Sequence, residues 1–206
     1  GREVTGLARG LAIQGFGSTG SILFTRFVLN PNFGETKFTV VDVGGSKNIV
    51  VSGRETSGAL RGPAYQPFDA SGNFILTRFV LNPDFTDLQI FGANTTNGVS
   101  GEEIVTGGTE TSGLARGSAV QVWDKNGNHL FTRLVLNADF TEVKFNKIDI
   151  DNDGLEEILV VGRETKGLAR GAAIQVWNGN GNLLLTQFVL NPDFTNLKVF
   201  AVDQNG

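Results

Sequence analysis

Hydrophobic and polar positions alternate along short stretches of this chain, and the same stretches return at a regular interval. The clearest copy comprises residues 119–123, 129–136, 143–148 and 157–161, which are rich in β-branched and aromatic residues. A period of two predicts β-strands, and no stretch has the period of a helix. Asn126-Gly127, between the first two stretches, is a strong signal for a hairpin turn. Each interval therefore predicts four short antiparallel strands.

A glycine-rich phrase marks the interval. Gly-Arg-Glu-x-x-Gly-x-x-Arg-Gly opens at Gly1, Gly53 and Gly162, and a Gly-Thr-Glu variant opens at Gly108. Units of about 50 residues must stack on their neighbours to bury their apolar faces. Sheets that repeat in this way most often pack radially as blades. We therefore expect an all-β fold, a β-propeller-type array of four repeats in one domain spanning residues 1–206, each repeat a four-stranded blade.

The strand count is uneven at the chain ends. The chain begins in the tail of a fourth strand and stops inside the next acidic loop, so the piece that corresponds to residues 153–161 is missing. Three interpretations remain: a fragment of a longer array, a last segment without order, or a polymer in which a neighbour supplies the strand by edge addition. The expected partners are neighbouring copies of the chain or a continuation of the same repeat.

One loop carries a candidate metal site. Carboxylates fall at loop positions 1, 3, 5 and 9, and Gly154 at position 6 permits a sharp turn. Calcium requires six to eight oxygen ligands and tolerates irregular loops. The alternative is a solvated acidic turn. We predict a Ca²⁺ site formed by Asp149, Asp151, Asp153, the Leu155 carbonyl and Glu157.

The equivalent loops differ from this one. The first keeps only Asp42, and residues 94–102 have lost the aspartates, so no calcium is expected in either. Asp203 and Asn205 form half of a further site. This unevenness favours a stabilising role for the metal.

These motifs resemble a known family. A strand, then Asp-x-Asp-x-Asp-Gly, then Glu-Ile-Leu-Val-Val-Gly and a Val-Trp hairpin is similar to the FG-GAP/VCBS-type repeats of bacterial surface proteins, to which integrin α-subunit propellers are related. The resemblance implies a β-propeller, Ca²⁺ in the Asp loops, an extracellular or cell-surface location and a role in adhesion or assembly. Two features depart from the family: four blades are few, and the Gly-Arg-Glu phrase replaces its usual connection.

Charged and aromatic residues also recur at equivalent positions. The arginines could form a ring that binds an anionic glycan, or each could pair with the glutamate of its unit and tie one blade to the next. The aromatic residues could stack on sugars or fill the space between blades. The arginines are Arg9, Arg61, Arg116 and Arg170, the glutamates are Glu3, Glu55, Glu110 and Glu164, and the aromatics are Phe16, Phe68, Trp123 and Trp177.

Composition narrows the possible functions. The net charge is −4 and no Lys/Arg-rich run occurs, which argues against nucleic-acid binding. No apolar stretch is long enough for a membrane span. There is no cysteine, and His129 is the single histidine, so no nucleophile–His–acid set is available. Asn94-Thr-Thr is a possible glycosylation sequon.

These observations predict a non-enzymatic extracellular module. Its role would be structural or adhesive, stabilised by calcium and able to polymerise through strand complementation. The alternative is a lectin-like propeller that binds glycans through the arginine and aromatic positions.

Overall fold

The computed structural model describes residues 1–3, 10–97 and 100–199. These residues form fifteen β-strands and no helix, so the all-β prediction is confirmed. Accordingly, the described chain holds no helix long and apolar enough to cross a membrane.

The strands form four antiparallel sheets. Sheet 1 has three strands and sheets 2, 3 and 4 have four each, always in chain order. Sheet 1 comprises β1 (Arg2–Glu3), β2 (Gly10–Phe16) and β3 (Ile22–Val28); sheet 2 comprises β4 (Phe33–Val43), β5 (Ser46–Glu55), β6 (Pro63–Phe68) and β7 (Arg78–Phe79). Sheet 3 comprises β8 (Phe85–Ala93), β9 (Glu103–Glu110), β10 (Gly117–Trp123) and β11 (His129–Leu134); sheet 4 comprises β12 (Phe140–Ile148), β13 (Glu157–Glu164), β14 (Gly171–Trp177) and β15 (Leu183–Leu190).

The strands lie where the alternation predicts them, but their grouping into sheets was predicted wrongly. We expected residues 119–161 to supply one blade, whereas β10 and β11 belong to sheet 3, and β12 and β13 belong to sheet 4. The Gly-Arg-Glu phrase ends one strand and turns directly into its neighbour in the same sheet. The chain instead leaves a sheet at the four-residue turns 30–33, 82–85 and 137–140, each of which begins with asparagine and ends with the phenylalanine that opens the next sheet. Each sheet is thus half a repeat out of phase with the sequence unit.

Short polar turns hold the hairpins together. Asp124 Oδ1 accepts hydrogen bonds from the N–H groups of Asn126 and Asn128, at 2.8 and 2.7 Å. Gly127 adopts a φ of 73°, which glycine tolerates without strain. The equivalent turns at Asp69 and Asn178 use the same bonds. This local chemistry fixes the β10–β11 register and explains why the hairpin signal in the sequence was reliable.

Each sheet packs on the next. Strand β4 lies against β8, and β8 against β12, so the first strands of sheets 2, 3 and 4 adjoin one another. Phe68, Trp123 and Trp177 are buried in the clusters between successive sheets, which agrees with the expectation that they fill this space. Burial of such large aromatic side chains contributes much of the energy that joins the sheets.

A polar contact repeats at each of these junctions. An arginine near the outer edge of one sheet donates from Nε to a glycine carbonyl in the hairpin turn of the next, at 2.7 to 2.9 Å. The pairs are Arg26–Gly72, Arg78–Gly127 and Arg133–Gly181. A second contact joins the backbone N–H groups of Leu29 and Leu81 to the Oε1 atoms of Gln66 and Gln121, both at 2.8 Å.

Candidate metal site and the inter-sheet loops

The acidic loop joins β12 to β13. Asp149 directly follows Ile148, the last residue of β12, and Glu157 is the first residue of β13. The two strand ends therefore fix both ends of the candidate ligand set. Asn152 and Gly154 have φ values of 58° and 85°, and these two left-handed residues turn the loop back on itself.

The structure brings three of the predicted ligands together. Single carboxylate oxygens of Asp149, Asp151 and Asp153 lie within 4.8 Å of one another. The loop's own backbone supplies hydrogen bonds to them: Gly154 N–H donates to Asp149 at 3.0 Å, and Leu155 N–H donates to Asp153 at 2.8 Å. Asp153 N–H lies 3.3 Å from Asp151 Oδ1. Three like charges this close are mutually repulsive, and a divalent cation would relieve the repulsion.

Glu157 lies under the loop. Its side chain is buried, and Oε2 accepts a 3.0 Å hydrogen bond from Ile150 N–H. Burial raises the pKa of this carboxyl, and the charges of Asp151 and Asp153 raise it further, although backbone hydrogen bonds oppose both effects. A buried acid with this pKa shift is poorly suited to ionise without a cation beside it.

The predicted ligands line two different cavities. Asp151, Asp153, Leu155 and Glu157 border one of about 400 Å³, together with the turns at 95–97 and 178–180. Asp149 borders the other, of about 480 Å³, with Glu156 and Lys147. Asp149 therefore borders a different space from the other four predicted ligands, although its contact with Gly154 N–H keeps it in the loop. Asp203 and Asn205, the predicted half-site, fall outside the described residues.

A charged network that the sequence analysis missed lies beside this loop. Lys147 Nζ is 2.6 Å from Glu102 Oε1 and 3.0 Å from Glu156 Oε2. Burial alone would lower the pKa of Lys147, but the two carboxylates outweigh it and raise that pKa. The lysine on sheet 4 thereby neutralises two acids that lie on neighbouring sheets.

The same two glutamates join sheets through the backbone. Glu102 Oε2 accepts from Asp42 N–H at 2.6 Å, and Glu156 Oε2 accepts from Asn94 N–H at 2.8 Å. In return, the N–H groups of Glu102 and Glu156 donate to the carbonyls of Asp42 and Asn94. Glu102 and Glu156 occupy equivalent repeat positions, as do Asp42 and Asn94. The sequence did offer one signal for this network, a Glu-Glu pair at the start of both β9 and β13. The buried position accounts for the second glutamate of each pair and leaves the first without a role.

The first residue of each loop has a further shared property. Within the described residues, one buried side-chain oxygen each of Asp42, Asn94 and Asp149 lacks a hydrogen-bond partner. All three residues border the cavity of about 480 Å³.

The Asn94 amide nitrogen donates to the Gly154 carbonyl at 3.0 Å, so a glycan on this atom would break a contact between two loops.

The repeated Arg–Glu pairs form, but they act within one sheet. Arg61, Arg116 and Arg170 each contact the glutamate six residues earlier, through both the backbone N–H and the guanidinium. The carboxylates are buried and the guanidinium groups are half exposed. The Arg61 bonds hold the pKa of Glu55 below its usual range, and Arg170 does the same for Glu164. These pairs close the turn between two strands of one sheet and do not tie blades together; Arg9 lies outside the described residues.

No protein-family model matches this chain, and a search of curated proteins finds no significant relative.

Proposed function

We propose that this chain is a non-enzymatic, extracellular structural or adhesive module, built as consecutive propeller-type blades and stabilised by calcium. The observation that carries the proposal is that repeated polar residues of the chain form contacts between neighbouring sheets. The arginine–glycine contacts and the glutamate–backbone contacts recur from one sheet junction to the next. In repeat proteins each unit is stabilised by its contacts with the next, and residues that recur at these contacts are typical of a structural array.

The calcium part rests on the loop after β12. Three aspartates converge there, and Glu157 is held beneath them by the Ile150 backbone. The carboxylate oxygens and the Leu155 carbonyl are the hard ligands that calcium prefers. Because the loop lies between β12 and β13 near the sheet 3–sheet 4 junction, a bound ion would stiffen the place where two sheets meet.

Calorimetric titration tests this assignment directly. We expect one Ca²⁺ per 206-residue chain, with binding lost in Asp151→Asn. Asp42→Asn is the matched control. It makes the same change in the equivalent loop after β4, where Lys47 already pairs with the aspartate at 2.9 Å. No heat of binding, or equal loss in both variants, would contradict a site at this loop.

A lectin-like function is the second candidate. One observation favours it: the guanidinium groups of Arg61, Arg116 and Arg170 are half exposed at equivalent turns, where a planar fork suits a carboxylate or sulfate group. The burial of Phe68, Trp123 and Trp177 argues against sugar stacking at those positions. Binding on a glycan array that is lost in the double variant Arg116→Ala, Arg170→Ala would support the lectin function and weaken the structural one.

A further inference from the structure

The two end sheets of the array expose faces that are buried at every internal junction. Phe16 on sheet 1 is 59% exposed, whereas Phe68, the residue at the same repeat position on sheet 2, is 2% exposed. At the opposite end, Val189 on sheet 4 is 42% exposed, whereas its equivalent Val28 on sheet 1 is 1% exposed. Position in the array, and not residue type, accounts for these differences.

The two faces carry the two apolar halves of one kind of interface. At each internal junction, the face carrying the valine and its neighbours packs on the face of the next sheet that carries the aromatic residue. Sheet 4 presents the first face, with Leu185 beside Val189, and sheet 1 presents the second. No strand pairing joins sheets 1 and 4 among the described residues, so the two halves are open in the same chain.

The face of sheet 1 borders an apolar groove. The groove has a volume of about 760 Å³ and runs between sheets 1 and 2, where Phe16, Phe38, Val40 and Ile49 contribute to its walls. Phe38 and Val40 are exposed there, whereas Phe145, at the position of Phe38 on sheet 4, is buried by the preceding sheet. Phe16, Phe38 and Val40 thus form an exposed apolar wall, the kind of surface that a partner covers in an interface.

Residues 194–199 have the features of the strand that would fill this groove. Asn196 has a φ of 57°, close to the values of 49°, 54° and 55° at the equivalent residues Glu35, Asp87 and Glu142 of the first strands. Leu197 and Val199 pack on sheet 4, as the first strand of each following sheet packs on the sheet before it. One face of the segment is thus in place on sheet 4, and its other face alternates away from that sheet.

A hydrogen-bonding group on sheet 1 is already oriented for the same contact. Gln14 Nε2 donates to Thr25 Oγ1 at 3.1 Å, as Gln66 does to Thr77 and Gln121 to Thr132. In the latter two, the remaining Oε1 accepts the N–H of a leucine on the preceding sheet. Leu190 on sheet 4 is the equivalent of those leucines.

We propose that sheet 4 of one chain, with residues 194–199, docks on the sheet 1 face and groove of a second copy. This inference deepens the proposed structural role and rests on it. The contact is head-to-tail, so repeated association gives a ring where the rotation closes and a filament where it does not.

Mass measurement over a concentration series is the first test. Sedimentation or light scattering of the 206-residue chain should show steps of 22.0 kDa above the monomer as concentration rises. Phe16→Glu and Val189→Glu should each weaken association by more than about tenfold, because each places a charge in an apolar interface. Leu114→Glu is the matched control, since Leu114 is 77% exposed on a turn outside both faces, and it should leave association unchanged.

A mixing experiment tests the head-to-tail geometry. Phe16→Glu keeps a working sheet 4 face, and Val189→Glu keeps a working sheet 1 face. Each variant alone should be largely monomeric, whereas an equimolar mixture should form a dimer and stop there. A mixture that stays monomeric while the unaltered chain associates would overturn the head-to-tail contact.

Two other outcomes would also overturn the proposal. A chain that stays monomeric at every concentration leaves the groove to its own segment or to another protein, and association lost equally in Leu114→Glu places the contact elsewhere. The series is run with Ca²⁺ and with a chelator. Association in both conditions together with no heat of Ca²⁺ binding would contradict the metal part of the proposed function and leave the second-copy contact standing.

Discussion

The loops after β4 and β12 hold the same place in the repeat and treat their acids in opposite ways. After β4, Gly44 and Gly45 make a tight turn, and Lys47 Nζ lies 2.9 Å from Asp42 Oδ2. The lysine hydrogen bond holds the pKa of Asp42 below its usual range. After β12, three aspartates face one another in a longer loop. The aspartate of one loop is balanced by a lysine of the same loop. The three aspartates of the other face one another, which is the arrangement on which the calcium proposal rests.

The loop after β8 provides a third case. Glu103 occupies the position of Glu157, and both carboxylates are buried. Glu103 accepts two hydrogen bonds from Thr95, from the backbone N–H at 2.8 Å and from the hydroxyl at 3.1 Å. In the acidic loop, Ile150 stands in place of Thr95 and brings an N–H but no hydroxyl. The hydroxyl of Thr95 thus gives the buried Glu103 a second hydrogen bond, and under the calcium proposal the ion would be the second partner of Glu157.

Calcium gives the largest expected separation between the loops. At a free concentration one hundred times its Kd, an ion that binds the folded state stabilises it by about 2.7 kcal/mol. For a chain of this length that corresponds to a rise in Tm of about 5 to 10 °C. Asp151→Asn should abolish the rise, and Asp42→Asn should preserve it, as measured by thermal unfolding in calcium and in chelator. An unchanged Tm in chelator would show that the acidic loop does not support the fold.

The two lysines give the next largest difference. Lys147→Met removes the cation shared by Glu102 and Glu156 and leaves two partly buried acids without it. We expect a loss of about 2 kcal/mol. Lys47→Met removes a mostly exposed partner and should cost no more than about 0.5 kcal/mol. Denaturant unfolding of both variants measures the difference, and equal losses would contradict the role of Lys147 as a joint between sheets.

The effect of Glu157→Gln on thermal stability should have opposite signs in chelator and in calcium. The folded-state pKa of Glu157 is raised, so its contribution to stability is present below the pKa of the unfolded chain and is lost as pH rises through the folded pKa. Glutamine cannot ionise and still accepts from Ile150 N–H. The variant should therefore melt higher than the unaltered chain in chelator at pH 7, and the two should converge near pH 4. In calcium the order should reverse, because the variant lacks one charged ligand.

The sequence was informative wherever the cause is local. Alternation and turn residues located the strands, and the spacing of Asp149, Asp151, Asp153 and Gly154 predicted that the three carboxylates converge. Whether a metal binds there stays a prediction. Which four strands form one sheet was not predictable in the same way. Each repeat has two equally plausible turns, and the grouping depends on which of them crosses between sheets.

Two further features depend on contacts between distant residues. The first strand of sheets 2, 3 and 4 shifts register near Glu35, Asp87 and Glu142, which adopt left-handed φ values without being glycine. Residue type gives no warning of such a bulge. Lys147 likewise looks like an ordinary surface residue until the packing of sheet 3 on sheet 4 brings Glu102 beside it.

Two glycines give the smallest and most closely matched test. Gly45 and Gly154 have φ values of 82° and 85°, and a Cβ added to either would meet open space. Alanine at each position should therefore cost the same backbone strain, about 1 kcal/mol. In chelator the two variants should unfold together. In calcium, Gly154→Ala should also weaken ion binding, because Gly154 N–H orients Asp149, whereas Gly45→Ala should bind calcium as the unaltered chain does. Equal calcium affinity in the two variants would show that the backbone geometry at Gly154 shapes the turn and does not contribute to metal binding.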